Sequence, residues 1–267
     1  MEAPNRGIIG AVCGDIVGLP YELRADRTKD YNFKLKLNDF SDDTILTVAL
    51  AHWLLGDRSE QSLRQHLLDY ASRFLHKNVW GTGFQSWVES GGTLDRTGVR
   101  SNGAAMRVTA IGYASDDMDE VLRLAEMSAR ITHNSDEAVR GAQAVAAAVL
   151  MARKGCSKNE VRNYIEGMAH YDLSRSIEEI RPDYHFEIFC DRCVPESIIC
   201  WLQCDTFEQV VRNAVSLGGD ADTMAAIAGG IAASTPGMEV PREWAQPCFD
   251  LLPNDFQQVV ANTLFIP

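Results

Sequence analysis

Apolar residues recur three and four positions apart along most of the chain, the spacing that lines one face of an α-helix. The pattern predicts helices over 6–19, 44–55, 63–75, 118–131, 137–153, 158–169, 195–202, 207–216, 223–233, 242–251 and 255–264. Punctuation agrees with it. Ser157 with Glu160 and Thr206 with Gln209 read as capping boxes. Ser59 stands before a helix, Asp255 opens the last one, and Gly155 follows Arg153-Lys154 as a stop. Gly7, Gly10, Gly14 and Gly18 recur through the first helix. Glycine weakens a helix, so this repetition signals close packing against a neighbour or a ligand. Period-two alternation is confined to 30–39 (Tyr31, Phe33, Leu35, Leu37), too little to build a sheet. The stretch 81–100 has no clean period and reads as an irregular loop. Many short helices with short connections predict an all-α, compact orthogonal multi-helix bundle, with 1–267 as a single domain.

Composition adds a few limits. Hydrophobic residues make up 46% of the 267, enough for a large core. The formal net charge of -12 leaves no basic stripe to track phosphates, which argues against nucleic acid as the partner. Solubility explains the acidity; carboxylates gathered around cations are a second reading. No apolar run is long enough to span a membrane, and residues 1–6 lack the pattern of a secretory signal. The seven cysteines therefore read as reduced thiols of a cytoplasmic protein. Cys190, Cys193, Cys200 and Cys204 are close enough in sequence to suggest zinc. The second pair lacks the usual two-residue gap, which favours small buried residues on a helix face.

The chemistry gathers in two acidic clusters far apart in sequence, Ser41-Asp42-Asp43-Thr44 and Gly218-Gly219-Asp220-Ala221-Asp222-Thr223, each at the start of an apolar helix. Capping explains one acid at such a place. Adjacent carboxylates repel, so the excess needs another cause; a hard divalent cation supplies one, and spacing alone leaves capping and metal binding both open. Asp15, inside the glycine-rich helix, is out of place unless paired, and Glu22 follows the Pro20 that ends that helix. Ser101-Asn102-Gly103, Thr132-His133-Asn134 and Gly81-Thr82-Gly83 each suit either simple capping or backbone N–H groups offered to a phosphate.

Taken in order, these blocks resemble the ADP-ribosylglycohydrolases. The matching residues are Gly7-x-x-Gly10…Gly14-Asp15…Gly18-x-Pro20-x-Glu22, Ser41-Asp42-Asp43-Thr44, Asn102-Gly103-Ala104-Ala105-Met106-Arg107, Thr132-His133 and Gly218 to Thr223. The resemblance implies a compact all-α fold with a central metal-containing cleft holding two magnesium ions, manganese being the substitute. It implies Ser41, Asp42, Asp43, Asp220, Asp222 and Thr223 as metal ligands, with Glu22 and Asp43 as the catalytic carboxylates. It implies Gly81 and Gly83 beside the diphosphate, and Ser101, Asn102, Gly103 and His133 in the ADP-ribose pocket. One departure stands out: Val99 replaces a serine usual in the family, with Arg100 beside it as a possible phosphate partner.

The implied reaction is hydrolysis of the ribosyl bond of an ADP-ribosylated protein, small molecule or nucleobase, releasing ADP-ribose, by an enzyme expected to be monomeric. Metal ions would orient the ribose hydroxyls and acidify a water for a carboxylate base. A metal-dependent phosphohydrolase is the alternative enzyme, disfavoured because neither acidic cluster holds a histidine. A non-catalytic, crystallin-like binder of ADP-ribose is the alternative non-enzyme. The leaving group is unreadable; loops 26–38 and 81–100 are where it would be selected.

Overall fold

The computed structural model describes residues 6–22 and 29–263. Its α-helices in chain order are α1 (Arg6–Gly18), α2 (Asp42–Leu54), α3 (Glu60–Arg73), α4 (Thr82–Glu89), α5 (Met118–Thr132), α6 (Asp136–Arg153) and α7 (Lys158–Ala169). They continue with α8 (Ile177–Ile180), α9 (Cys190–Leu202), α10 (Phe207–Ser216), α11 (Ala221–Ser234), α12 (Arg242–Asp250) and α13 (Asn254–Asn262). Short 3-10 helices occupy Leu19–Tyr21, Asn102–Ala104 and Val108–Tyr113. The described residues contain no sheet, only two isolated bridges, so the all-α expectation holds. No helix among them is long and apolar enough to cross a membrane.

The glycines of α1 explain the centre. α1 lies along α11, and every residue of α11 is buried. A Cβ at Gly10 would sit 2.4 Å from the Gly229 carbonyl oxygen, and one at Gly14 would sit 2.0 Å from that of Ala225. At Gly18 it would meet the Ala221 carbonyl at 2.4 Å. Only glycine lets the two backbones approach this closely. The alanine-rich α6 packs beside α11, also buried on most of its faces, as expected of a helix with little polar surface. Outer helices keep one apolar face: α10 buries Phe207, Val210, Val211, Ala214 and Val215 and turns its charges outward.

Several boundaries differ from the sequence reading, each for a local reason. The stretch 81–100 contains α4, because Phe84, Trp87 and Val88 form a buried helical face between flanking glycines. Gly91 and Gly92, at φ 67° and 78°, then turn the chain back. α9 begins at Cys190, ahead of Pro195, which lies inside it and leaves the Asp191 carbonyl without its helical N–H. The short α8 carries a capping box of Ser176 and Glu179 that has no periodic run behind it in the sequence. The box at Ser157 and Glu160 is present; at Thr206 only half of it forms, since Gln209 caps Asp205 N–H instead. Segment 30–39 forms no strand. Residues 26–28 of the expected selectivity loop, Leu264 of the last helix and residues 1–5 lie outside the described residues.

Two features aim the helix starts at one place. Asp15 of α1 is fully buried, and its carboxylate accepts the Ser41 N–H at 3.0 Å and the Thr44 N–H at 3.1 Å, pinning the start of α2 to α1. Gly218, at φ 72°, makes the sharp turn that leads into α11. Lys29 braces that turn: its ammonium donates to the carbonyls of Arg181 (2.6 Å), Tyr184 (2.7 Å) and Leu217.

Candidate functional site

The starts of α2 and α11 meet at the floor of a cleft of about 610 Å³, within the range of small-molecule sites. Its walls include Glu22, Asp42, Asp43, Asp220, Asp222 and Thr223 at one end. Gly81, Gly83, Arg96, Ser101, Asn102, Gly103 and His133 line it as well. Every residue to which the resemblance assigned a catalytic, metal-binding or substrate-binding role thus lines this cleft except Ser41, which does not reach the wall. Ser41 is the N-cap of α2: its hydroxyl accepts the Asp43 N–H at 3.1 Å and donates to Asp43 Oδ2 at 3.3 Å.

Helix capping does not account for the acids. The start of α2 is already capped by Ser41 and Asp15, and Asp220 stands at the N-cap of α11 without making a side-chain cap bond. The carboxylates instead face one another. Oxygens of Glu22, Asp220 and Asp222 all lie within 4.8 Å of each other. Thr223 Oγ1 donates to Asp43 Oδ2 at 3.1 Å, tying together clusters 180 residues apart. Both hydroxyls therefore serve Oδ2, and the buried Oδ1 of Asp43 has no partner. Asn102 Nδ2 donates to Asp220 Oδ2 at 2.7 Å and holds that side chain in place.

Electrostatics point the same way. Burial pushes Asp43 well above the ordinary carboxylate range, and Asp15, Asp42 and Asp220 push it further. Asp42 is raised strongly by desolvation, then by Asp15, Asp220 and Glu22. Burial and then Asp220 raise Asp222, while hydrogen bonds from Asp222, Asn102 and Thr223 restrain the rise of Asp220. Acids packed this way are relieved by shared protons or by a cation. The oxygen-only donor set, the unpartnered Asp43 Oδ1 and the mutual repulsion suit a hard divalent ion.

The other end of the cleft offers donors. Gly81 caps α4, so the first N–H groups of that helix are free of helical partners. Arg96 lies against it: its Nη1 occupies the space a Cβ of Gly83 would need, at 2.6 Å. The Arg96 Nε anchors on the Thr132 carbonyl at 2.9 Å. Loop 97–103 is held by a bridge from Thr97 to Asn134 and another from Ser101 to Phe189. His133 is buried, and burial, then Arg107 and Arg96, hold its pKa well below the usual value.

Sequence reasoning missed the aromatic surface. Trp80 and Phe84 line the cleft as a stacked pair with centroids 5.5 Å apart, and Phe186 and Phe189 line it too. Phe84 belonged to the segment 81–100 read as a loop, while Trp80, just ahead of it, and 186–189 fell in stretches with no assigned element. Arg100 lies in the wall beside Val99, its guanidinium 4.4 Å from the centre of the Phe189 ring. Of the cysteines weighed for zinc, Cys190 donates to the Ser101 carbonyl, Cys193 accepts from Asn102 and Cys204 accepts from Asn213. They serve separate partners along α9 and beyond its end.

The chain is similar to known proteins along most of its length. ADP-ribosylhydrolase ARH3 of Mus musculus is 27% identical over 90% of this chain and 86% of its own length. A protein of Archaeoglobus fulgidus is 28% identical over 97% of this chain and 94% of its own length. A solved structure described as an ADP-ribosylglycohydrolase-related protein complex superposes with a TM-score of 0.74 over 98% of this chain and 96% of that one. At 20% identity that likeness concerns the fold. The family model for ADP-ribosylglycohydrolase matches residues 6–266, and this chain, a hydrolase, belongs to the ADP-ribosylglycohydrolase family.

Proposed function

We propose that this enzyme hydrolyses the bond between C1 of the distal ribose and the leaving group of an ADP-ribose adduct, releasing free ADP-ribose in a magnesium-dependent reaction. The observation that carries this reading is the carboxylate cluster: Glu22, Asp220 and Asp222 within 4.8 Å in the cleft, with the unpartnered Oδ1 of Asp43 beside them. Asp42, Asp43, Asp220, Asp222 and the Thr223 hydroxyl are the ligand set for magnesium, and manganese fits the same oxygens. Ser41 acts through Asp43, whose Oδ2 it holds. Magnesium supplies orientation of the ribose hydroxyls and a more acidic attacking water.

The remaining roles fall to the chain itself. Glu22 is less buried than Asp43, Asp220 or Asp222 and lies against the last two, which suits a base accepting the proton of the attacking water. As the bond to the leaving group breaks, positive charge grows on the ribose, and the surrounding carboxylates stabilise it. The α4 N-terminus and Arg96 suit a diphosphate. Trp80, Phe84, Phe186 and Phe189 offer flat apolar surface for a base. The leaving group then lies toward solvent, and the chain acts as one domain and as a monomer.

The test is to incubate the protein with arginine-linked and serine-linked ADP-ribosyl peptides, with magnesium or chelator, and to identify products by mass spectrometry. Magnesium-dependent ADP-ribose from either peptide supports the reading and names the linkage. Release of AMP or phosphate instead would replace it with phosphohydrolysis. No release together with retained ADP-ribose binding in calorimetry would indicate another adduct or a binding protein.

A further inference from the structure

Beside the cleft lies a hydrogen-bond chain that the reaction as described does not use. Arg107 is fully buried on the turn before Val108–Tyr113. Its Nη2 donates to the Ser128 carbonyl at 2.7 Å and to the Thr132 hydroxyl at 2.8 Å. The same hydroxyl lies 2.8 Å from Nδ1 of His133. A guanidinium only donates, so Thr132 Oγ1 accepts from Arg107. Thr132 is itself fully buried and owns a single hydroxyl proton. The one acceptor the structure gives that proton is His133 Nδ1, and leaving a buried hydroxyl proton unmatched is unfavourable. Nδ1 therefore accepts, and the ring carries its proton on Nε2.

Nε2 faces Gly103. A Cβ at Gly103 would lie 3.0 Å from it, so the glycine makes room for the ring. His133 is 3% exposed, lines the cleft, and its Nε2 has no hydrogen-bond partner among the described residues. We propose that Arg107 and Thr132 are positioning residues that lock His133 as a neutral Nε2–H donor aimed into the cleft, where it binds an acceptor oxygen of the ligand. The identity of that ligand as ADP-ribose rests on the reading above. The neutral state agrees with the electrostatics, since burial and the nearby Arg107 and Arg96 disfavour a charged ring. A charged histidine would bind an anion more strongly but would have to be buried beside two arginines. The relay supplies direction without charge.

The arrangement is read directly by nitrogen-15 NMR of histidine-labelled protein, where protonated and bare ring nitrogens resonate far apart. Wild-type protein at neutral pH is expected to show His133 with a bare Nδ1 shifted by an accepted hydrogen bond and a protonated Nε2. Thr132→Ser, which keeps the hydroxyl, should preserve that signature. Thr132→Val should lose the hydrogen-bond shift at Nδ1 and weaken ADP-ribose binding about three- to tenfold in calorimetry. A protonated Nδ1 or a charged ring in the wild type would overturn the proposal, and so would a Thr132→Val protein that binds ADP-ribose as well as the wild type. If wild-type protein failed to bind ADP-ribose at all, the functional reading would fall with the ligand half of this proposal. The ring signature would still decide the tautomer.

Discussion

Asp15 illustrates how a residue outside the cleft wall controls it. Its two oxygens collect the N–H groups of Ser41 and Thr44, so the start of α2, which carries Asp42 and Asp43, is fixed through a buried carboxylate on α1. Asp15→Ala would leave two buried N–H groups unmatched and is expected to cost about 2–4 kcal/mol. Urea unfolding would read this as a lower midpoint, together with weaker divalent-ion affinity. Asp15→Asn keeps an acceptor oxygen and should lose less of both. An unchanged midpoint in the alanine variant would mean that α2 is anchored by other contacts. The acidic doublets were legible in the sequence because two adjacent carboxylates at one helix start exceed what capping requires. The partners of Asp15 were not legible, since they lie 26 and 29 residues away and depend on how closely α1 approaches its neighbours. The same holds for His133: its presence in the pocket followed from a matched motif, but Arg107 and Thr132 as its tautomer-setting partners follow only from three-dimensional contact.

Among elements, the α1–α11 pair decides the geometry. A Cβ at Gly14 would meet the backbone carbonyl of Ala225 at 2.0 Å, and backbone in a central helix cannot move aside as a side-chain tip can. Gly14→Ala must push the helices apart, and with them Asp15 from one side and Asp222 from the other. Overpacking of this kind costs about 1–3 kcal/mol or more, and here it should also lower metal affinity and turnover. Gly167, inside α7 with nothing within 4 Å of an added Cβ, is the matched control. Gly167→Ala is expected to leave activity unchanged and to stabilise by about 0.5–1 kcal/mol through helix propensity. Thermal unfolding of both variants separates the two effects; equal shifts would mean that the glycines of α1 are not packing-critical. The glycine spacing in α1 announced close approach, although not to which helix. α4 stayed hidden because glycines and a tryptophan frame a helix of only eight residues, too short for a clear period. The aromatic wall it contributes was hidden with it.

At the scale of the whole molecule, the cleft stores an electrostatic cost that pH and metal should expose. Asp42, Asp43, Asp220 and Asp222 all have pKa values raised in the fold, with burial as the first cause. A group raised above its unfolded value, about 4 for an aspartate, contributes stability below that value and loses it as pH climbs through the folded pKa. Chelated protein should therefore lose stability as pH rises from mildly acidic toward neutral. Surface acids act in the opposite sense. Asp57, Glu160 and Glu179 are held below the usual range chiefly by hydrogen bonds from serines, and Asp116 by Arg153. Their contribution is present above the unfolded pKa and disappears as pH falls below about 4. Between these limits lies a stability maximum on the acid side of neutrality. A divalent ion that binds only the folded state stabilises by about 2.7 kcal/mol at one hundred times its Kd, and it does so most where the carboxylates are ionised. Magnesium should therefore raise the Tm strongly at pH 8 and little at pH 5, flattening the slope seen in chelator. Asp43→Asn, which removes one of the opposing charges, should reduce both the slope and the magnesium response while leaving the Tm in chelator at pH 8 equal to or above that of the wild type. Differential scanning calorimetry across that range, with and without magnesium, checks all of this. A Tm in chelator that rises between pH 5 and 8, or one that magnesium does not move at pH 8, would show that the acidic cluster is neither a stored repulsion nor a metal site.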